Sequence, residues 1–111
     1  MNITTIDQGP ISIVTVSGSI AHEEIATIRN RLADLIESKK PRIVLDLRNV
    51  PYLNSKLLAV LIDTKNSACR HNGDFKLANA NDLIKNLFDI TLLAKKIDIY
   101  TSVEEACKSF E

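Results

Sequence analysis

The chain has 111 residues, which is close to the commonest size of one domain and allows one hydrophobic core. Apolar residues make up 45% and charged residues 25%, a balance typical of soluble globular proteins and too apolar for a disordered chain. Lys plus Arg and Asp plus Glu both number 14, so the formal net charge is zero. This balance argues against a nucleic-acid-binding protein, which needs an excess of cations to displace counterions from phosphates.

The sequence also predicts where the protein resides. No stretch approaches the roughly 18 apolar residues of a membrane span. Residues 1–7 show no basic segment leading into an apolar one, so they do not form a signal peptide. Cys69 and Cys107 are isolated within helical apolar patterns, which favours two small buried thiols over a disulfide or a metal site. We therefore expect a cytoplasmic protein without direct membrane insertion.

The first half of the chain predicts a hairpin followed by a helix. Ile3–Ile6 and Ile11–Val16 are rich in β-branched residues and flank turn residues that include Gly9 and Pro10, as strands of a hairpin do. From His22 the apolar residues repeat with a helical period, on a stripe of Ile25, Ile28, Leu32, Leu35 and Ile36. Pro41 ends this helix.

The second half alternates strands and helices. Ile43–Leu47 is almost continuously apolar, as in a central strand covered on both faces. A second helical stripe follows and ends at Asn72–Gly73, a pair suited to a helix C-terminus. Its members are Leu58, Leu61, Ile62, Ala68 and Cys69. The remaining predicted elements are a strand at Phe75–Ala78, a helix with Leu83, Ile84, Leu87 and Phe88 capped by Asn81, a strand at Ile97–Tyr100 and a helix capped by Ser102.

This order predicts an α/β fold with one domain over residues 1–111. The expected sheet has five strands and is mixed, because an opening hairpin precedes alternating helices and strands, with about four helices in all. We expect the central strand and the second helix to supply buried residues, namely Ile43, Leu45, Leu47, Leu58, Leu61 and Ile62.

Signatures of catalysis and of cofactor binding are missing from the sequence. Three glycines do not form a phosphate-binding loop, so a nucleotide or small-ligand binder is the least favoured function, and no Gly-x-Ser-x-Gly motif is present. His22 and His71 lie on different predicted helices, without a Cys or an acid at metal-ligand spacing. Asp46 lies late in the central strand, near the sheet edge where ligands often bind, but a lone carboxylate there more readily pairs with an Arg or caps a backbone amide. We predict no enzyme activity, no cofactor and no metal.

The connection between the central strand and the second helix is the most informative segment. Either Asn54 or Ser55 suits the N-cap of that helix. Alternatively, the Ser55 hydroxyl is placed to carry a phosphate, because free helix amides and the helix dipole stabilise its added charge of about −1.5 to −2. The positive charge of Lys56 lies in the first turn of the helix, where its interaction with the helix dipole is unfavourable by roughly 0.3–1 kcal/mol. Its side chain either extends into solvent or meets an acidic group of a partner.

These residues carry a resemblance to the STAS family, in particular to its anti-sigma-factor antagonists. Residues 46–48 match the family's strand end, Asp-Leu-Ser, and residues 52–53 its aromatic–aliphatic pair. Ser55 matches the serine that a cognate anti-sigma kinase phosphorylates. Residues 73–79 resemble the family's Gly-x-Leu-x-Leu-x-Asn strand, and residues 92–106 resemble its closing segment. The resemblance covers nearly the whole chain.

The resemblance implies a non-catalytic, protein-binding module of signal transduction and transcription regulation. Such a module binds an anti-sigma factor or a serine-kinase-like regulator in partner switching. It implies Ser55 as a phosphorylation candidate and a partner-binding surface made of Asn54, Ser55, Lys56, Ser19 and His22. It leaves open an alternative, a STAS subunit that serves a membrane anion or lipid transport system through a separate membrane protein. A weak homodimer is compatible with either function.

The departures from the family pattern lie around the phosphorylation candidate. Asn54 replaces the family's Asp, Lys56 its second Ser or Thr, and Leu57 its Gly, while Ala21 stands where many members have another Asp. The acidic character is therefore lost and a positive charge is added, and Leu57 is expected to close off any near approach to the backbone that a glycine allows. These departures predict a constitutively available binding surface whose phosphorylation switch is blunted.

Overall fold

Five strands form one mixed sheet in the computed structural model, which describes residues 1–111. The strands are β1 (Asn2–Gln8), β2 (Ile11–Ser17), β3 (Arg42–Asn49), β4 (Asp74–Ala78) and β5 (Ile99–Tyr100), and they lie side by side in chain order. β1 pairs with β2 in antiparallel orientation, and every other neighbouring pair is parallel. The predicted five-stranded mixed sheet with an opening hairpin is confirmed.

Four α-helices connect and cover these strands, as predicted. They are α1 (Ile25–Glu37), α2 (Ser55–Arg70), α3 (Asp82–Ile90) and α4 (Val103–Lys108), with single 3₁₀ turns at His22–Glu24 and Leu93–Lys95. The first helix therefore enters through a 3₁₀ turn at His22 and becomes α-helical at Ile25. None of the four helices combines the length and the apolar character that a bilayer crossing requires.

The fifth strand is shorter than predicted. The sequence pattern assigned residues 97–100 to it, but only Ile99–Tyr100 pairs with β4. The Ile97 amide bonds instead to the carbonyl of Leu93 at 3.0 Å, so it belongs to the preceding turn, while its side chain is buried in the core. The apolar pattern therefore placed the start of this strand two residues too early.

The period-2 alternation of the strands divides the buried residues between two faces of the sheet. On one face, Ile43, Leu45 and Leu47 of β3 join the main core beneath α1, α2 and α3. On the other face, Val44 packs in a smaller cluster with Ala78 of β4 under α4. Because β3 buries both faces, its nearly continuous apolar sequence is explained.

Two predicted core positions differ in the structure. Five of the six residues expected to be buried are so, namely Ile43, Leu45, Leu47, Leu58 and Leu61, but Ile62 is only partly buried. Leu83, which the pattern placed on the apolar stripe of α3, is 56% exposed, while Ile84 and Phe88 fill the core. A residue next to a buried helix position points about 100° away, so it lies at the border of the buried face or beyond it.

The prediction of two buried thiols is wrong for Cys69 and correct for Cys107. Ala68 is the last buried residue of α2, and Cys69 follows it on the solvent side, with Sγ 3.7 Å from Oδ1 of Asp74. That carboxylate also accepts hydrogen bonds from Lys65 and from the Phe75 amide. Burial opposes its ionisation, but these two donors outweigh it and hold the pKa of Asp74 below its usual range.

One charged side chain is buried between the sheet and the C-terminal segment. Lys76 of β4 donates hydrogen bonds from Nζ to Oγ of Ser109 at 2.7 Å and to the Ser109 carbonyl at 3.3 Å. Its ammonium group also lies 4.5 Å from the centre of the Phe110 ring. These contacts satisfy the buried charge and fasten the end of the chain onto the sheet.

Candidate functional site

Burial in the core and hydrogen bonds from the start of α3 hold the segment between β3 and α2 in place. Val50 and Leu53 are buried, which fixes the backbone of the connection over the carboxyl end of the sheet. Nδ2 of Asn81 donates to the carbonyls of Val50 and Pro51, at 3.4 and 3.2 Å, and so ties the start of α3 to this connection. Between the two anchors Tyr52 is 55% exposed. The segment thus presents its polar residues and one aromatic ring from a fixed backbone.

The N-cap of α2 is Asn54, which decides between the two residues that the sequence offered. Its Oδ1 accepts a hydrogen bond from the Leu57 amide at 2.8 Å. Ser55 is the first residue of the helix, is exposed, and its hydroxyl has no hydrogen-bond partner within the chain. The backbone amides of Ser55 and Lys56 likewise find no acceptor in the protein. The start of α2 therefore offers a free hydroxyl beside two free amide donors.

Leu57 does not have the effect expected from its replacement of a glycine. Its side chain is buried in the main core, because this position of the first turn of α2 faces the sheet. The expectation that Leu57 obstructs approach to the backbone is therefore wrong: the leucine adds no bulk to the surface beside Ser55.

The second predicted segment is the connection between β2 and α1, which carries Ser19 and His22, both exposed. It is held to the sheet by a hydrogen bond from the Gly18 amide to the Asn49 carbonyl, at 2.9 Å. Glu24 stabilises the entry to α1, since its Oε1 accepts from the Ala21 amide at 2.8 Å and its Oε2 lies 3.5 Å from the N-terminal amine. The backbone around Ser19 and His22 is therefore fixed at both ends.

A contact between the two segments joins the start of α2 to the β2–α1 connection. Nζ of Lys56 lies 3.1 Å from Nε2 of His22. An ammonium group can only donate, so the contact is a hydrogen bond in the tautomer of His22 that leaves Nε2 as the acceptor. Lys56 has no carboxylate within ion-pair distance. We call the residues Asn54, Ser55, Lys56, Ser19 and His22 the α2 N-terminal surface. Lys56 and His22 are in contact there, whereas Ser19 is exposed in the same connection and makes no hydrogen bond to residues 54–56.

Two further residues that the sequence analysis considered, Asp46 and His71, have hydrogen-bond partners within the chain. Oδ1 of Asp46 accepts hydrogen bonds from the Arg48 amide and from Nδ2 of Asn79, both at 3.0 Å. This agrees with the amide-capping alternative. His71 is exposed at the far end of α2, where its Nδ1 lies 2.8 Å from the Ser67 carbonyl. No group of three or more His, Cys, Asp or Glu side chains is placed to hold a metal ion.

Sequence reasoning missed two features of this site. The Lys56–His22 contact bridges 34 positions of the chain, and no local pattern signals it. For Asn81 the sequence predicted only the role of a helix N-cap and missed its hydrogen bonds to the connection between β3 and α2. That role is confirmed by the hydrogen bond from the Ile84 amide to its Oδ1 at 2.8 Å, while its side-chain nitrogen reaches the neighbouring connection. An asparagine can serve both purposes because it carries an acceptor and two donors.

Comparison with known proteins places these features in a family. The model of the STAS domain matches residues 2–106. The anti-sigma-B factor antagonist of Bacillus subtilis (strain 168) is 31% identical over 91 residues, which are 82% of this chain and 83% of that protein. The anti-sigma F factor antagonist of Paenibacillus polymyxa is 24% identical over 102 residues, 91% of this chain and 87% of that protein.

The fold is shared with solved structures as well. The crystal structure of an anti-sigma factor antagonist from Mycobacterium paratuberculosis superposes with a TM-score of 0.88. The match covers 98% of this chain and 92% of the other, at 22% sequence identity. At 22% sequence identity, this likeness shows that the two proteins share the arrangement of strands and helices described above.

Proposed function

This chain belongs to the STAS domain family, and we propose that it is a non-catalytic regulator that binds an anti-sigma factor or a serine-kinase-like regulator. The proposed binding site is the α2 N-terminal surface. The names of its sequence relatives, two anti-sigma factor antagonists, support this function. Both relatives match over more than four fifths of this chain and of their own length, so the likeness extends well beyond a short motif.

The observation that carries the proposal is the contact between Lys56 and His22. It joins the start of α2 and the β2–α1 connection into one continuous surface, although the two segments are far apart in the sequence. Lys56 is exposed and has no acidic partner within the chain, so its charge is available to an acidic group of another protein. Charge complementarity of this kind favours encounter with the correct partner and sets its orientation.

Tyr52 supplies the apolar part of the proposed interface. Tyr52 is 55% exposed, two residues before Asn54, on a backbone that its buried neighbours hold in place. Aromatic side chains on a rigid support commonly carry a large share of the binding energy of protein interfaces. A partner that covers Tyr52 and pairs with Lys56 would bury one apolar and one charged anchor together.

Ser55 is the proposed phosphorylation site, and its surroundings favour a weak switch. The exposed hydroxyl is free, and the adjacent amides of Ser55 and Lys56 are free to bind phosphate oxygens. Lys56 can leave His22 and neutralise part of the added charge. Phosphorylation would therefore repel an acidic partner less than it would without a neighbouring lysine, and binding is proposed to be nearly constitutive.

The alternative function, a STAS subunit of a membrane anion or lipid transport system, has weaker support. The fold alone does not separate the two functions, whereas the sequence relatives favour the anti-sigma-factor role. The nature of the bound protein distinguishes them, because one function requires a kinase-like or anti-sigma partner and the other requires a membrane transporter.

Affinity capture from the native cells with matched variants tests the proposed function. Wild type, Lys56→Glu and Lys96→Glu serve as baits, since Lys96 is also an exposed lysine and belongs to the segment between α3 and β5. We expect wild type and the Lys96 variant to retain an anti-sigma factor or kinase-like regulator that the Lys56 variant loses. Capture of a transporter subunit would support the alternative. Retention of the same proteins by all three baits would contradict the proposed surface.

A further inference from the structure

The two edges of the sheet differ in a way that bears on assembly. At one edge β5 pairs over only two residues, Ile99 and Tyr100. At the other edge β1 runs for seven residues and pairs with β2 without interruption, from Asn2 opposite Ser17 to Gln8 opposite Ile11. No backbone group of β1 bonds to any segment other than β2. The outer side of β1 thus presents a long row of unpaired backbone donors and acceptors.

β1 lacks the features that usually keep a sheet edge from pairing. Proteins protect exposed edges with proline, lysine, a bulge or a very short strand, and Asn2–Gln8 contains none of these. Its only charged residue is Asp7, close to the end of the strand and paired with Lys40 at 2.9 Å. Ile6 is 63% exposed on the strand. An open, regular edge with an exposed isoleucine is therefore available to another strand.

We propose that β1 pairs with β1 of a second copy of this chain, in antiparallel orientation about a two-fold axis at Thr5. This register pairs all seven residues, because Thr5 is the midpoint of Asn2–Gln8. It places Thr4 opposite Ile6 and Ile3 opposite Asp7 of the second copy, so no like charges face each other. The two Ile6 side chains become diagonal neighbours on one face of the joined sheet, a distance that isoleucine side chains can bridge.

A second copy fits this edge better than the other occupants. Its strand is already folded and self-complementary, whereas a disordered peptide would lose conformational freedom on binding. The short β5 edge cannot continue the pairing, so the assembly closes as a dimer with a ten-stranded sheet instead of growing into a fibre. Because one strand pair buries little surface, the dimer is weak and forms with increasing concentration.

Sedimentation velocity over about 10 µM to 1 mM protein tests the dimer. Wild type should shift from the monomer to twice its mass, and Ile6→Lys should raise the dissociation constant at least about tenfold, because two ammonium groups would meet across the pair. Ile90→Lys is the matched control, since Ile90 is 80% exposed on α3, away from β1. A chain that stays monomeric at 1 mM, or an Ile90→Lys variant that loses as much dimer as Ile6→Lys, would overturn the proposal.

A cysteine pair tests the register independently of lysine substitution. In a Cys69→Ser background, Thr5→Cys should form a dimer-linking disulfide on mild oxidation, because the two-fold axis brings residue 5 of both copies together. Asn2→Cys is the control, since six residues would separate the two cysteines along the strands, about 20 Å. The proposed pairing would be contradicted if the Asn2 variant formed disulfide dimers and the Thr5 variant did not. It would also be contradicted if neither variant formed them. Circular dichroism of each variant establishes that it is folded.

Discussion

Substitution of Gly73 by alanine perturbs the place where the end of α2 meets the start of β3. A Cβ atom added at Gly73 would lie 2.5 Å from both the carbonyl carbon and the Cβ of Pro41, and closer still to the Pro41 oxygen. That oxygen accepts a hydrogen bond from the Asp74 amide at 3.0 Å, so moving Pro41 away would strain the contact that aligns β4 with β3. The clash is with the backbone and the rigid ring of Pro41, so a rotamer change cannot relieve it.

The expected loss follows from these contacts. Overpacking of a rigid site costs about 1–3 kcal/mol and a weakened backbone hydrogen bond about 1 kcal/mol. The lower entropy of the unfolded alanine chain offsets about 0.4–1 kcal/mol of this cost, so we expect Gly73→Ala to lower the free energy of unfolding by about 1–3.5 kcal/mol. Gly9→Ala is the control: Gly9 has a φ of +61° but nothing within 4 Å of the added Cβ. Its left-handed backbone predicts a net loss of only about 0.5–1 kcal/mol.

Urea unfolding followed by far-ultraviolet circular dichroism measures both losses, with the slope of the free energy against urea as a check on two-state behaviour. The unfolded-state gain is common to the two variants, so the difference between their losses reports the contact with Pro41 minus the left-handed backbone strain at Gly9. If Gly73→Ala loses no more stability than Gly9→Ala, the close approach of these two segments is not as described.

Three further tests concern the core, the cap of α2 and the partly buried ion pair of Lys65 and Asp74. Leu45→Ala should lower the free energy of unfolding by about 2–5 kcal/mol, since Leu45 is buried in the central strand; a loss below about 0.5 kcal/mol would reject that assignment. Asn54→Ala should cost about 1 kcal/mol and Ser55→Ala almost nothing, because Asn54 caps α2; equal losses in thermal unfolding would contradict this cap. The pKa of Asp74 is lower in the folded state, so its contact with Lys65 stabilises the fold above about pH 4 and this stability is lost as the pH falls through the lowered pKa. Asp74→Asn should remove that acid-range dependence and about 1–2 kcal/mol near pH 7, and an unchanged pH profile would show that another carboxylate is responsible.

The order of strands and helices followed from hydrophobic periodicity, because each element buries a face whose period differs between strand and helix. β3 was recognised by its continuous apolar run, and its burial on both faces explains that run. The errors lie where a residue borders a buried face. Cys69, Ile62 and Leu83 are each one step from a buried helix position, and periodicity cannot assign such border residues.

The candidate site was predictable only in part, because its contacts join distant segments. Both Asn54 and Ser55 have side chains that can cap a helix, so composition left the choice open until the hydrogen bond to Leu57 was seen. The approach of Lys56 to His22 depends on the parallel placement of β2 and β3, which brings the segments after both strands to one edge of the sheet.

The role of Lys56 in partner binding is the most direct test of the proposed function. Isothermal titration of the captured regulator should be made with wild type, Lys56→Ala and Ser55→Asp at two salt concentrations. An exposed ion pair contributes about 1 kcal/mol or less, so Lys56→Ala should weaken binding by up to about fivefold, less so at high salt, and Ser55→Asp should have a modest effect. Loss of binding in Ser55→Asp with no change in Lys56→Ala would contradict the account and indicate an ordinary phosphorylation switch.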